Sequence, residues 1–170
     1  MTDSRLLDTL AQKLWDERHV VTVLLYKLTV TRLLLAADDR RFLPDALREV
    51  EQCVDALRHG EAARDEALRA LAGAWHRDPS ELTLVELARE APEPYAHTFG
   101  EHLAAFRDLA GEIERVSREN RALARTDLVE LTDQLDLLTG TPATPAPATY
   151  DARGRLDATS PVGGRLREVL

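Results

Sequence analysis

Cysteine is almost missing from this chain. Its 170 residues include one, Cys53, so no internal disulfide can form and the composition suits a reducing compartment. Aromatic residues are only 5% of the total, and the 8 Gly and 8 Pro are confined to a few places. Basic residues are the minority charge, with 22 Lys+Arg against 30 Asp+Glu and a net charge of -8. Such a chain gains little from counterion release on DNA or RNA, so no nucleic acid partner is expected. An anionic membrane surface is unfavourable for the same reason. Long uncharged apolar runs are also lacking. Lys27 and Arg32 interrupt the most apolar stretch, residues 20–37, whereas a spanning helix needs about 20 mostly apolar residues. No membrane span is therefore expected. The first residues, Met-Thr-Asp-Ser-Arg, lack the basic and apolar blocks of a secretory signal, and none is expected.

Leu, Ala, Arg and Glu dominate what remains, which is the profile of long helices. The length fits a single domain that can bury a core without metal or disulfide. A first helix is expected from about residue 3 to 37, capped by Asp3 or Ser4. Leu7, Leu14, Val21, Leu28 and Leu35 recur every seventh residue, with Leu10 and Leu24 between them. Glu17 and Thr31 stand where the seam should continue, so the seam is expected to be imperfect there. A second stripe of Val20, Val23, Leu25, Val30, Leu33 and Leu34 cannot share one face with the first. This helix must touch two neighbours, or one neighbour and a partner.

The run Asp38-Asp39-Arg40-Arg41 reads as a turn, and Pro44 suits the first turn of a second helix. Leu43, Leu47, Val50, Val54, Leu57, Leu68, Leu71 and Trp75 form its seam, with looser packing expected at Gly60 and Arg64. The run Arg77-Asp78-Pro79-Ser80 ends it. Thr83 and Glu86 read as a capping box for a short helix with Leu84, Val85 and Leu87 on its apolar side. Pro94 opens the longest helix, which runs to about Leu138. Its seam of Tyr95, Phe99, Phe106, Leu109, Ile113, Val116, Asn120 and Leu123 changes phase to Leu128, Leu131, Leu135 and Leu138, a stutter. The predicted fold is all-α: an elongated antiparallel helical bundle or coiled coil of three long helices plus one short helix. Residues 1–138 form the bundle. Residues 139–170, with their Pro/Ala linker, are expected to be a flexible C-terminal tail. The tail holds four Arg against two Asp and one Glu, so the bundle carries the chain's acidity.

Little in this pattern suggests catalysis. Asp16 and His19 make one Asp-x-x-His, but no second copy completes a di-iron pair. His97 and Glu101 read as a surface pair, and Cys53 as a buried structural thiol. Gly163-Gly164 follows no strand and is no phosphate loop. No enzyme activity, metal or cofactor is expected. Asn120 is a polar interruption of the longest seam, which either sets register or marks where the bundle opens. The leucines at 128, 131, 135 and 138 either finish the core or project beyond shorter neighbours to accept a partner's amphipathic helix. Tyr150, an isolated aromatic after the linker with Asp151 and Gly154 beside it, is either incidental or an anchor for a partner's pocket.

These segments in this order resemble the bacterial flagellar export chaperones of the FlgN type. The N-terminal pieces Leu14-Trp15-Asp16-Glu17-Arg18-His19, Leu24-Leu25-Tyr26-Lys27-Leu28 and Leu33-Leu34-Leu35-Ala36-Ala37 are similar to an actinobacterial branch. So are Arg48-Glu49-Val50-Glu51 and Ala91-Pro92-Glu93-Pro94-Tyr95. Glu119-Asn120-Arg121-Ala122-Leu123 resembles the family's Asn-x-x-Leu stretch, and the tail resembles its ending: a Pro-containing linker, then Thr149-Tyr150-Asp151-Ala152-Arg153-Gly154, then Gly163-Gly164-Arg165. The resemblance implies a cytoplasmic type III export chaperone. It would bind hook–filament junction proteins of the FlgK and FlgL type, prevent their premature assembly and deliver them to an FlhA-type export gate. By the same likeness, cargo would be held through Asn120, Leu123, Leu128, Leu131, Leu135 and Leu138, and the gate met through Tyr150, Asp151 and Gly154. The competing expectation is a structural, self-associating coiled-coil protein with no export role.

Overall fold

A computed structural model describes residues 2–139, with side chains described for residues 3–134. Four α-helices follow in order: α1 (Thr2–Ala36), α2 (Leu43–Ala74), α3 (Leu84–Glu90) and α4 (Tyr95–Thr139), with a 3-10 turn at Pro79–Glu81 before α3. Among the described residues there are no strands, and the all-α bundle of three long helices and one short one is what the periodicity predicts.

The ends of the helices have local causes. Helix α1 begins one residue before Asp3, which therefore lies in the first turn rather than at the cap, and Ser4 instead bonds the Tyr95 hydroxyl at 2.9 Å. The C-terminus of α1 closes in a Schellman motif. Asp38 turns to φ 50, its N–H reaches the Leu35 carbonyl, and the Asp39 N–H reaches that of Leu34. Helix α2 ends the same way at His76, φ 53, with the Arg77 N–H on the Ala72 carbonyl at 3.0 Å. Pro44 occupies the first turn of α2, where its missing N–H is harmless. At α3 the Thr83 hydroxyl accepts from the Glu86 N–H at 3.2 Å.

Helix α1 is the central element and packs against both α2 and α4. Most of the first stripe is buried between these neighbours, and Val20 and Leu25 of the second pack against the same core, while Leu33 of the second stays exposed. Ion pairs give the directions. Lys27 meets Glu49, and Glu17 meets Arg64, so α2 runs antiparallel to α1. Tyr95 meets Asp8, and Asn120 meets Leu28, so α4 runs parallel to α1. The core is one cluster that includes Leu7, Leu14, Val21, Leu24, Leu71, Phe99, Phe106 and Ile113. Leu84 and Leu87 of α3 close it, and Arg77 bonds Glu90 to tie the end of α2 to α3.

Three expectations need correction. Glu17 and Thr31 do not break the seam, because both are buried in it. Thr31 manages this by donating its hydroxyl to the Lys27 carbonyl at 2.9 Å. Glu17 does so by pairing with Arg64 at 2.8 Å across the gap beside Gly60, so the loose layer of α2 is a polar layer. Leu47, assigned to the α2 seam, is instead exposed. The third concerns membranes: α1 is long and apolar enough, by length and composition, to cross a bilayer. Lys27 and Arg32 therefore do not exclude a span by themselves. In the fold, α1 holds the core, and Lys27 and Arg32 are paired with Glu49 and Glu119.

Candidate functional site

The register between α1 and α4 positions the site. Their hydrogen-bonded partners lie 87 to 92 residues apart along the chain. At that offset Ala36, the last residue of α1, lies beside about residue 125. The remaining 14 or so residues of α4 continue for about 21 Å past the end of α1.

The inward face of α4 does not change character where its neighbour stops. Leu131 follows Ile113 by about five turns at 3.6 residues per turn and so stands on the same side of the helix. Ile113 is 3% exposed and Leu131 43%. The side chains are alike, and what differs is the end of α1 between them. Leu128 and Val129 are exposed to 64% and 60%. Leu123, level with the last turn of α1, is half-buried. Charge along this stretch is all acidic: Asp127, Glu130, Asp133 and Asp136 are all the charged residues between 126 and 139, with Asp127 nearest the leucine face. Arg40, in the turn after α1, bonds Asp38 at 2.7 Å and also lies in the field of Asp127 and Glu130.

At the inner edge the two helices are pinned by polar contacts. The Asn120 amide donates to the Leu28 carbonyl at 3.0 Å, while its own carbonyl is buried without a partner among the described residues. Beside it, Arg32 of α1 and Arg115 both bond Glu119 and hold its carboxyl below the usual range. Asn120 therefore sits where bundle and overhang meet, already committed to α1.

The backbone of α4 includes Leu135 and Leu138, whose side chains lie outside those described. Tyr150, Asp151 and Gly154 lie outside the described residues altogether. The structure adds exposed apolar residues that the sequence analysis did not assign to the site. Leu33, Phe42 and Leu47 are exposed apolar side chains at the same end of the bundle as the overhang. The second stripe on the first helix was the available signal for Leu33. Phe42, an aromatic beside a charged turn, was another.

Elsewhere the polar groups read as structural. His97 and Glu101 are an exposed pair 3.5 Å apart. Cys53 is half-buried against the core, and burial pushes its thiol up, away from the thiolate a nucleophile needs. His102 is buried against Trp15 and Phe106, with burial holding its imidazole below the ordinary range. Among the described residues no three His, Cys, Asp or Glu side chains gather as metal ligands would.

The arrangement can lay an apolar helix face with acidic residues beside it against another helix, and among the described residues it offers no convergent set of metal-ligating groups. No curated protein and no solved structure matches the chain. A family model described as FlgN protein matches residues 1–158, a span that includes the whole bundle and the overhanging ridge. The chain therefore belongs to the FlgN family, whose members are flagellar export chaperones rather than enzymes.

Proposed function

We propose that this protein is a cytoplasmic chaperone that holds hook–filament junction proteins of the FlgK and FlgL type and delivers them to an FlhA-type export gate. The observation that carries the reading is the overhang. The core-facing side of α4 runs on past the end of α1 as an apolar ridge with no other helix of the described residues against it. Axial proteins assemble through amphipathic helices, so an unassembled subunit presents an apolar stripe in need of cover. A ridge of Leu128 and Leu131, continued in sequence by Leu135 and Leu138, supplies that cover, with Leu123 and Asn120 at its inner boundary. The neighbouring acidic residues keep the complex soluble. Residues 1–138 do the holding, and residues 139–170, through Tyr150, Asp151 and Gly154, make the contact with the gate. The contact is reversible, and nothing in it calls for a cofactor.

The test is substitution on the ridge. Leu131→Asp, or Leu128→Asp, places a charge where the cargo helix lies. Either is expected to weaken junction-protein binding at least tenfold, with an unchanged helical circular dichroism spectrum, and full binding by both variants would reject the site. Tyr150→Ala is expected to keep cargo binding and weaken binding to the gate's cytoplasmic domain. Loss of both contacts, or of neither, would contradict the division of labour.

A second reading has its own observation. Trp15, Tyr26 and Leu33 are exposed and fall on one side of α1, spaced by close to whole numbers of turns. Such a stripe suits self-association. Sedimentation over a range of concentrations separates the two, since a stable dimer indifferent to junction proteins favours the second reading.

A further inference from the structure

Residues 159–170 lie outside the family match, so their role is not supplied by the family. Within them Leu166, Val169 and Leu170 are three and four positions apart, the spacing of one helical side. Arg165 and Arg167 flank Leu166, and Glu168 is the single acid of residues 159–170. The overhang of α4 is the converse surface. On its core-facing side it exposes Leu128 and Leu131, and its charged residues from 126 to 139 are all acidic. Asp127 borders Leu128 and lies nearest the leucines, and Arg40 offsets only part of the field of Asp127 and Glu130. Shape and charge are thus complementary within one chain.

Reach does not limit the contact. Arg165 follows Thr139 by 26 residues, and a coil of that length has an average end-to-end distance of roughly 28 Å. Leu131 lies back along α4 from Thr139 by about 12 Å, and Leu128 by about 17 Å. A tether comparable with the span gives an effective concentration in the millimolar range, enough for a weak helical segment to occupy a ridge to which it is joined.

We propose that residues 165–170 dock on the exposed ridge of Leu128 and Leu131, with Leu166, Val169 and Leu170 against the leucines and Arg165 and Arg167 against the neighbouring acidic residues. The chain thereby covers its own cargo site until cargo arrives. The competition with cargo rests on the ridge being the cargo site, whereas the docking itself does not. Cargo must displace the segment, so the intact chain binds cargo more weakly than a chain whose tail cannot dock. Displacement also frees the part of the chain that carries Tyr150, which orders cargo capture before gate contact.

The experiment uses the full chain. With Cys53→Ala as background, Gly163→Cys provides one site for a nitroxide label, and methyl NMR reads the broadening of the ridge. Leu128 and Leu131 are expected to broaden, while Leu7 and Leu10 at the far end of the bundle do not. Arg165→Glu with Arg167→Glu and Leu166→Asp is expected to remove the broadening and to tighten junction-protein binding by roughly three- to tenfold. Absence of broadening at the ridge overturns the proposal. So does broadening that grows with protein concentration, which means contact between copies. Unchanged cargo affinity in the triple variant overturns the competition. The two readings fail separately: broadening together with full cargo binding by Leu131→Asp retains the docking and rejects the cargo site. Loss of cargo binding in Leu131→Asp without broadening does the reverse.

Discussion

Glu17 and His102 show how single residues set the pH response of this bundle. Glu17 is 2% exposed, and burial outweighs the nearby Arg64 charge, so its carboxyl is pushed up to about 7. In the unfolded chain it ionises near 4.5. Between those values the folded chain keeps a proton that the unfolded chain has released, and stability falls as pH rises through about 7. The loss is on the order of 3 kcal/mol. His102 acts in the opposite sense. Burial lowers its folded value below 6.5, so the unfolded chain takes up the proton first and stability is lost as pH falls from 6.5 through the folded value. Urea unfolding from pH 5 to 8 tests both. Glu17→Gln, which leaves Arg64 an amide oxygen to bond, is expected to flatten the decline towards neutral pH. His102→Gln is expected to flatten the decline on the acid side. An unchanged profile in Glu17→Gln would show that the carboxyl is ionised in the fold.

The helices carry two residues that are poor choices for their positions. Gly60 lies inside α2, yet a Cβ there would come no closer than 3.8 Å to Glu17, which is ordinary contact. Gly60→Ala is therefore expected to stabilise the protein by about 0.5–1 kcal/mol through helix propensity. His76 holds the left-handed C′ position of α2, where glycine carries no steric penalty. His76→Gly is expected to gain a similar amount. A thermal melt of each variant should rise by about 2–4 °C. A fall for Gly60→Ala would mean that the polar layer needs its open side. The turn between α1 and α2, the seam and the cap at Thr83 were all readable from residue spacing, because helix termini and heptads are local rules. The polar layer was not, since Glu17 and Arg64 are 47 residues apart and their pairing depends on the hairpin register.

For the molecule as a whole the decisive feature is unequal length. Helix α4 has 45 residues against 35 in α1 and 32 in α2, and the parallel packing of α4 on α1 starts the two helices nearly level. All of the surplus therefore appears at one end. The stability consequence is testable apart from any partner. Phe106→Ala, within the overlap, is expected to cost about 3–5 kcal/mol. Leu131→Ala, beyond it, should change stability by less than about 0.5 kcal/mol. Equal losses on urea unfolding would mean that the ridge is sealed inside the core, and both the cargo site and the tail docking would go with it.

Residue order alone specified four helices near their true limits, the heptad seams and the family. Period, caps and prolines act within a few residues of themselves, and a motif match compares one string with another. Whether Leu131 is core or surface could not be decided that way, because its spacing is that of Ile113. Only packing settles it: α1 covers one and has ended before the other. Likewise Glu17 read as a flaw in a seam until Arg64 and the space beside Gly60 were brought across from α2. Burial is a property of what lies opposite, and what lies opposite is decided by how helices distant in the chain align.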